Sequence, residues 1–427
     1  LLKINDVFYR IKENIVRKKN EFYWLKRIQI HISSDKRSPN LKNGSKLLKG
    51  NMQQYGMIMA LGLIILLFQI LTGGVLLRPL NITNIVLQNG YILILAIGML
   101  PVIITGRIDL SVGSIVAFTG AIAAIMIVNL QAPFVVTLIV VLLIGALIGA
   151  WQGFWTAYVG IPAFITTLAG MLIFRGLTIA VLSGRSIGPF TSTFRAISTN
   201  FIPDFFNGTS LNITALLFGF VMGICFVLVK LNSRAKTQKY GFSQSPTWLF
   251  IIQLSFIFSG IMIIAYSFAA YNGIPYLFIL LVLLIIIYAF VTSNTVIGRR
   301  IYAIGGNEPA SKLSGINTKA IIFITNINMG LLAAVAGIVF AARLNAGTPK
   351  AGNSFELDAI AACFIGGASV TGGTGTIGGA LLGTLIMGVM NNGMSIIGVS
   401  VDIQQAVKGL VILFAVAIDL VMKNRRK

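Results

Sequence analysis

Residue types that carry out metal or acid–base chemistry are scarce in this sequence. Of 427 residues, two are cysteines and one is a histidine, His31. Cys225 and Cys363 both fall in apolar runs far apart in sequence. No disulfide framework, zinc site or histidine-based catalysis can be built from these three. Acid is also sparse, with 11 Asp+Glu against 33 Lys+Arg, and charged residues make up only 10% of the chain. A soluble domain usually carries about 25% charged residues. With 56% hydrophobic residues and a mean hydropathy of +0.89, too little polar surface remains to cover a globule in water. No G-x-x-x-x-G-K-[ST] segment is present, so a P-loop nucleotide site within the chain is excluded. No constellation of nucleophile, base and metal ligands appears either, so neither a catalytic residue, a metal nor a cofactor is assigned.

What is abundant is long apolar sequence. Runs of spanning length recur from Tyr55 to Met422, and in lipid only helices satisfy every backbone group over such lengths. The short alternating segments of a β-barrel are a different pattern. The expected fold class is therefore all-α, a polytopic integral membrane protein with about 10–12 transmembrane helices. Spans are expected at 55–77, 89–106, 111–130, 134–159, 161–182, 212–231, 247–271, 274–293, 320–342, 356–371, 376–398 and 401–422. The segment 356–398 is alternatively a re-entrant pair. Residues 1–54 form a basic tail, either a helix on the inner leaflet or a solvated segment, and 423–427 a basic C-terminus. No cleavable signal is evident ahead of the first span, which is expected to act as an uncleaved anchor. With both termini inside, 26 of the 33 Lys+Arg lie in inside segments and five outside. That asymmetry is the positive-inside pattern, and it accounts for the net charge of +22 without a nucleic-acid partner.

Two polar interruptions stand out. In "ITGRIDLSVGSIVAFTG" (104–120), Gly106 suits a tight turn and Asp109 can cap a helix restarting at Leu110, with Ser111 and Gly113 following. Arg107 lies where its side chain can snorkel to the inner surface. Either this stretch is a helix boundary with an orientation signal, or it is a cytoplasmic gate or a contact with a partner. In "IGRRIYAIGGNEPASKLSGINTKAI" (297–321), Asn307 can cap a short helix opening with Glu308 and Pro309, and Gly315 can end it. Ala310 and Leu313 would share a small apolar face, suited to a groove on a partner or simply to a connector.

Glycines repeat at 145, 149 and 153, and again at 375, 379 and 383, which indicates close helix packing, a sliding face or a dimer seam. A faint internal echo places Gly106 and Gly113 against Gly366 and Gly373 at the same spacing. Arg175 and Lys408 fall inside apolar runs and need partners, with Asp109 and Asp402 as candidates. Gln152, Asn391 and Asn392 either hydrogen-bond a passing solute or join helices. Outside, Arg343, Lys350, Glu356 and Asp358 in "RLNAGTPKAGNSFELD" (343–358) are candidates for docking a partner, against the alternative of an ordinary loop. The acidic residues fall in loops or near span ends on this map, which weakens a secondary transporter or channel coupled to an ion.

The segments "GRIDLSVGSIVAF" (106–118), "GRRIYAIGGNEPASKLSGI" (298–316), "ELDAIAACFIGGASVTGGTGTIGGALLGTLIMGVMNNGM" (356–394) and "VKGLVILFAV" (407–416) together resemble the permease subunit of bacterial sugar ABC importers of the ribose/xylose type. The resemblance covers roughly 52–425. Within the family, "KYGFSQSPTWLF" (239–250) and "YNGIPYLFILLVLLIIIYAF" (271–290) are most similar to xylose and multiple-monosaccharide permeases. The resemblance implies a pair of permease subunits in the bacterial inner membrane, a cytoplasmic ATP-binding subunit and an extracytoplasmic binding protein delivering a monosaccharide. It also implies that the short helix within the loop 298–319 docks in the ATPase, and that transport proceeds by alternating access. The long tail departs from the family pattern, and nothing is carried over to it.

Overall fold

The computed structural model describes residues 43–206, 208, 210–240 and 246–424. The chain divides into two compact units, 1–52 and 53–427. The surface helix weighed for 1–54 lies almost wholly outside the described residues, as does most of the basic 423–427 segment. Helix α1 spans Asn43–Leu71. The second unit continues with α2 (Pro79–Ile104), α3 (Val112–Ala124), α4 (Phe134–Phe154), α5 (Ala163–Val181), the short α6 (Ser192–Thr199), α7 (Ile213–Lys239), α8 (Thr247–Ala269) and α9 (Tyr276–Asn294). It closes with α10 (Val296–Gly306), α11 (Glu308–Leu313), α12 (Thr318–Leu344), α13 (Phe355–Ile365), α14 (Ile377–Ile396) and α15 (Val401–Asn424). Among the described residues there is no sheet, only isolated bridges joining Ile187 to Gly347 and Phe201 to Pro275.

Local chemistry sets the helix ends. Pro133, Pro162, Pro246 and Pro275 each stand immediately before a helix, where the fixed φ is preorganised and the missing N–H costs nothing. Asn212, Thr295, Asn317 and Thr376 cap others by accepting from a backbone N–H three residues on. Both α3 and α4 finish in a π turn, Ile125–Asn129 and Trp155–Val159. Gly160, at φ +90°, ends the second in the left-handed conformation that glycine adopts without strain.

The protein is an all-α polytopic membrane protein, with nine helices among the described residues long and apolar enough to cross a bilayer. The span expected at 89–106 begins ten residues earlier, because Pro79 opens α2 and the polar Asn81, Thr83 and Asn89 are all buried within it. The span expected at 356–371 is not one. Its helix, α13, has 11 residues, about 16 Å at 1.5 Å per residue, with a glycine turn on its C-terminal side.

The core is centred on α2, which is buried from Ile92 to Ile104 and packs with α8, α9, α12, α13 and α14. The glycine repeats explain how the helices come so close. A Cβ at Gly145 or Gly149 would run into α12 backbone at Gly330 and Asn326, and one at Gly379 or Gly383 into Gly366 and Ala362. Both glycine faces are thus covered by this same chain, which rules out a dimer seam on either.

Candidate coupling and pathway site

The stretch between α10 and α12 folds as its residues suggest. Asn307 Oδ1 accepts from Ala310 N–H at 2.9 Å, Glu308 occupies the first turn of a six-residue helix and Lys312 the last. Gly315 follows at φ +81°. The acid at its start and the base at its end also suit the helix dipole. Ala310 and Leu313 face outward, with Leu313 91% exposed, while Ser311 turns inward.

The preceding polar stretch reaches this helix directly. Arg107 Nη2 pairs with Glu308 Oε2 at 3.0 Å, and Nη1 donates to the Thr105 carbonyl at 2.8 Å. Sequence alone gives Arg107 no partner, because it and Glu308 are 201 positions apart. Gly106 adopts φ +77°, as a tight turn requires. Asp109 differs in detail from expectation. The cap of α3 is Ser111, and Asp109 Oδ1 accepts from the Ser111 N–H and hydroxyl at 2.8 and 2.6 Å, bracing the turn just before the helix. Burial pushes the Asp109 carboxyl above its ordinary range, partly offset by the two Ser111 bonds. Gly113 lies so close to Gly352 and Glu356 that a Cβ there would strike both.

Beside the Arg107–Glu308 pair lies a cleft of about 290 Å³, lined by Arg107, Thr156, Gly160, Pro162, Lys312 and Lys319, among others. On the far side of the α2–α3 turn sits the second glycine turn, 366–376. Gly373 N–H donates to the Ile104 carbonyl at 2.9 Å, and Gly372 packs on Gly106. The two echoing glycine segments therefore abut.

The remaining candidates separate into three groups. Arg175 is not paired with Asp109 or Asp402: its guanidinium donates to the carbonyls of Ala351 (2.6 Å), Gly352 (3.2 Å) and Pro349 (3.3 Å), with Glu356 as the charge nearby. Lys408 pairs with Asp358 at 2.9 Å. Asp358 is 2% exposed and Glu356 is half-buried, so the exposure expected of both as docking residues is absent. Arg343 is half-buried and Lys350 exposed. The reason is that α13 is folded against the core rather than displayed in a loop. Asp109 stays in the turn between α2 and α3, as the sequence suggests, whereas Asp358 is buried within α13.

Asn392 joins helices: it exchanges hydrogen bonds with Asn81 at 2.8 and 3.1 Å across α14 and α2, and donates to Gln88 at 3.4 Å. Gln152 Nε2 donates to Ser111 Oγ at 2.7 Å, while its carbonyl, like that of Asn391, has no hydrogen-bond partner among the described residues. Asn81 and Tyr91, whose ring stacks on Phe355 at 3.9 Å beside Asp358, were missed from sequence because they lie in an apolar helix with no motif around them.

The family model described as branched-chain amino acid transport system / permease component matches residues 81–235 and 209–416. The chain belongs to this permease family. The permease is 40% identical over 385 residues to the xylose transport system permease protein XylH of Haemophilus influenzae, covering 90% of this chain and 99% of that protein. XylH of Escherichia coli K12 is 41% identical over 379 residues, 88% of this chain and 93% of its own. The ribose import permease protein RbsC of Bacillus subtilis is 37% identical over 370 residues, 87% and 94%. No solved structure matches.

Proposed function

We propose that this permease is the membrane subunit of an ATP-binding cassette importer for a monosaccharide, xylose or a related pentose or hexose. The observation that carries the reading is identity of about 40% over nearly the full length of proteins named for xylose transport. The description of the matching family names branched-chain amino acids. A sugar is preferred because the relatives that cover most of this chain are named for xylose and ribose.

In this reading α11 is the coupling helix. It presents Leu313 to a groove on a cytoplasmic ATPase, and nucleotide binding there moves the helix bundle between access states. Hydrolysis belongs to that separate subunit, since the chain carries no P-loop. Two permease copies form the pathway in the bacterial inner membrane, and both termini face the cytoplasm, as the distribution of Lys+Arg favours. An extracytoplasmic binding protein delivers the sugar, with exposed Lys350 the remaining accessible charge of the 343–358 segment for that contact. Neutral sugars are held by hydrogen bonds, and the unpartnered carbonyls of Gln152 and Asn391 are the pathway candidates this supports.

The test is reconstitution of the permease with its ATPase and binding protein in vesicles, following radiolabelled xylose, ribose and glucose. Accumulation that needs ATP and both partners is expected. Equilibration of sugar by the permease alone would replace this reading with a carrier or channel.

A further inference from the structure

We propose that motion of the coupling helix enters the bundle through one junction, where α10 is wedged against two glycine turns, and that Arg107–Glu308 is the ionic latch that sets its position. The proposal rests on the reading of α11 as the ATPase-facing helix.

Three observations place the junction. First, Gly305, in the last turn of α10, lies backbone to backbone against the end of α2 and the 366–376 turn: a Cβ there would fall on the Ile104 carbonyl and the Gly373 amide. Those two groups are hydrogen-bonded to each other at 2.9 Å, so α10 presses on a bonded pair from outside. Second, one turn earlier, the Tyr302 hydroxyl donates to the Gly375 carbonyl at 2.7 Å, pinning α10 to the same turn. Third, Arg107 holds Thr105 with one guanidinium nitrogen and Glu308 with the other, tying the α2–α3 turn to the first turn of α11. With no side chain at Gly305 to flex between α10, the end of α2 and the 366–376 turn, a displacement of α11 is passed on there rather than absorbed, because close-packed backbone deforms little.

The latch differs in kind from the junction. The Arg107 and Glu308 side chains are 19% and 40% exposed, and an ion pair so placed adds little to stability. It is therefore not there to hold the fold. The cleft on its α4–α5 side leaves α11 room to shift, and the pair fixes where α11 rests before it does. Arg107 and Glu308 are thus positioning residues for transport.

The experiment uses the full complex in vesicles, comparing wild type, Arg107→Glu, Glu308→Arg and the double variant. Bound ATPase subunit, ATP hydrolysis and ATP-driven uptake of radiolabelled xylose and ribose are measured. Each single reversal is expected to keep the ATPase bound and hydrolysing while sugar moved per ATP falls about tenfold or more. Arg107→Glu/Glu308→Arg is expected to restore it, which a contact with the partner subunit would not produce, while the retained ATPase binding and hydrolysis of the single variants separate a latch from a merely structural pair. Gly305→Ala is expected to lose coupling too, whereas Gly306→Ala, with open space where its Cβ would lie, stays at wild type. Unchanged uptake per ATP in the single reversals, loss of the ATPase subunit from Arg107→Glu, or no recovery in the double variant would overturn the latch alone. Absence of ATP-driven uptake by the wild-type complex would overturn the functional reading, and the latch with it.

Discussion

Helices α2 and α8 are both apolar enough to span a bilayer, yet 83% of the spanning stretch of α2 is buried within the chain against 6% for α8. The same split divides α3, α12 and α14, buried over 67%, 67% and 72% of theirs, from α7 and α9, buried over 17%. The outer helices carry large side chains such as Phe256 and Ile252 on their surface. The inner ones carry glycine, asparagine and threonine. In water the more apolar helix would be the more buried. In lipid that drive is missing, so helices are sorted by what can approach closely and bond, and the best-packed elements are the less apolar ones.

Four changes would break or sharpen that contrast. The largest effect is expected at Gly330, where a side chain would collide with Gly145 and Gly149 backbone. Gly330→Leu should cost about 3 kcal/mol or more and leave little monodisperse protein in detergent. Gly260→Leu on α8, with nothing within 4 Å of its Cβ position, should elute and melt as wild type. Next is the Asp358–Lys408 pair inside the bundle. Asp358→Asn strands a cation and should cost about 3 kcal/mol, read as a lower melting temperature, with most of the loss recovered in Asp358→Asn/Lys408→Met. Additive losses in that double variant would mean the pair is not a unit.

A smaller loss, about 1 kcal/mol, is expected for Asn392→Ala, which leaves the Asn81 side-chain carbonyl without its donor while its amide keeps the Leu76 carbonyl. The control is Phe256→Ala, where lipid or detergent fills the space and melting should not move. The smallest effect concerns Asp204, outside the spans. Its carboxylate accepts from the amides of Phe206, Gly208, Ile213 and Thr214 and from the Thr214 hydroxyl. Desolvation opposes these bonds, but together they hold the carboxyl well below its usual range. A depressed folded value means the contribution is complete above the ordinary carboxylate pKa, about 4, and is lost as pH falls towards the folded value. Amide protection in the segment ahead of α7, relative to intrinsic exchange, should therefore fall only below about pH 4 in the wild type, and be lower at all pH values in Asp204→Asn.

Much of the segment 307–315 was legible. Asn307, Glu308, Pro309 and Gly315 follow one another in the order that a short capped helix needs, and local hydrogen bonding decides such a unit. Gly106 at positive φ was legible for the same reason. The partners of Arg107, Arg175 and Lys408 were not. Each lies 50 or more residues away in sequence, and the partners of Arg175 are backbone carbonyls, which any residue supplies. The docking role weighed for Glu356 and Asp358 assumed that a polar stretch after a span is exposed, whereas α13 is a half-length helix turned into the core.

Sequence alone determined the solvent of this protein, its helical class, its family and the local shape of its turns, because hydropathy, proline, caps and glycine act over a few residues at a time. Tertiary structure alone decided which helices face lipid, which charges pair and which turns touch. It brought Gly106, Gly305 and Gly373 to one junction, since packing in a bilayer depends on the fit of surfaces distant in the chain rather than on apolarity, which nearly every span here shares.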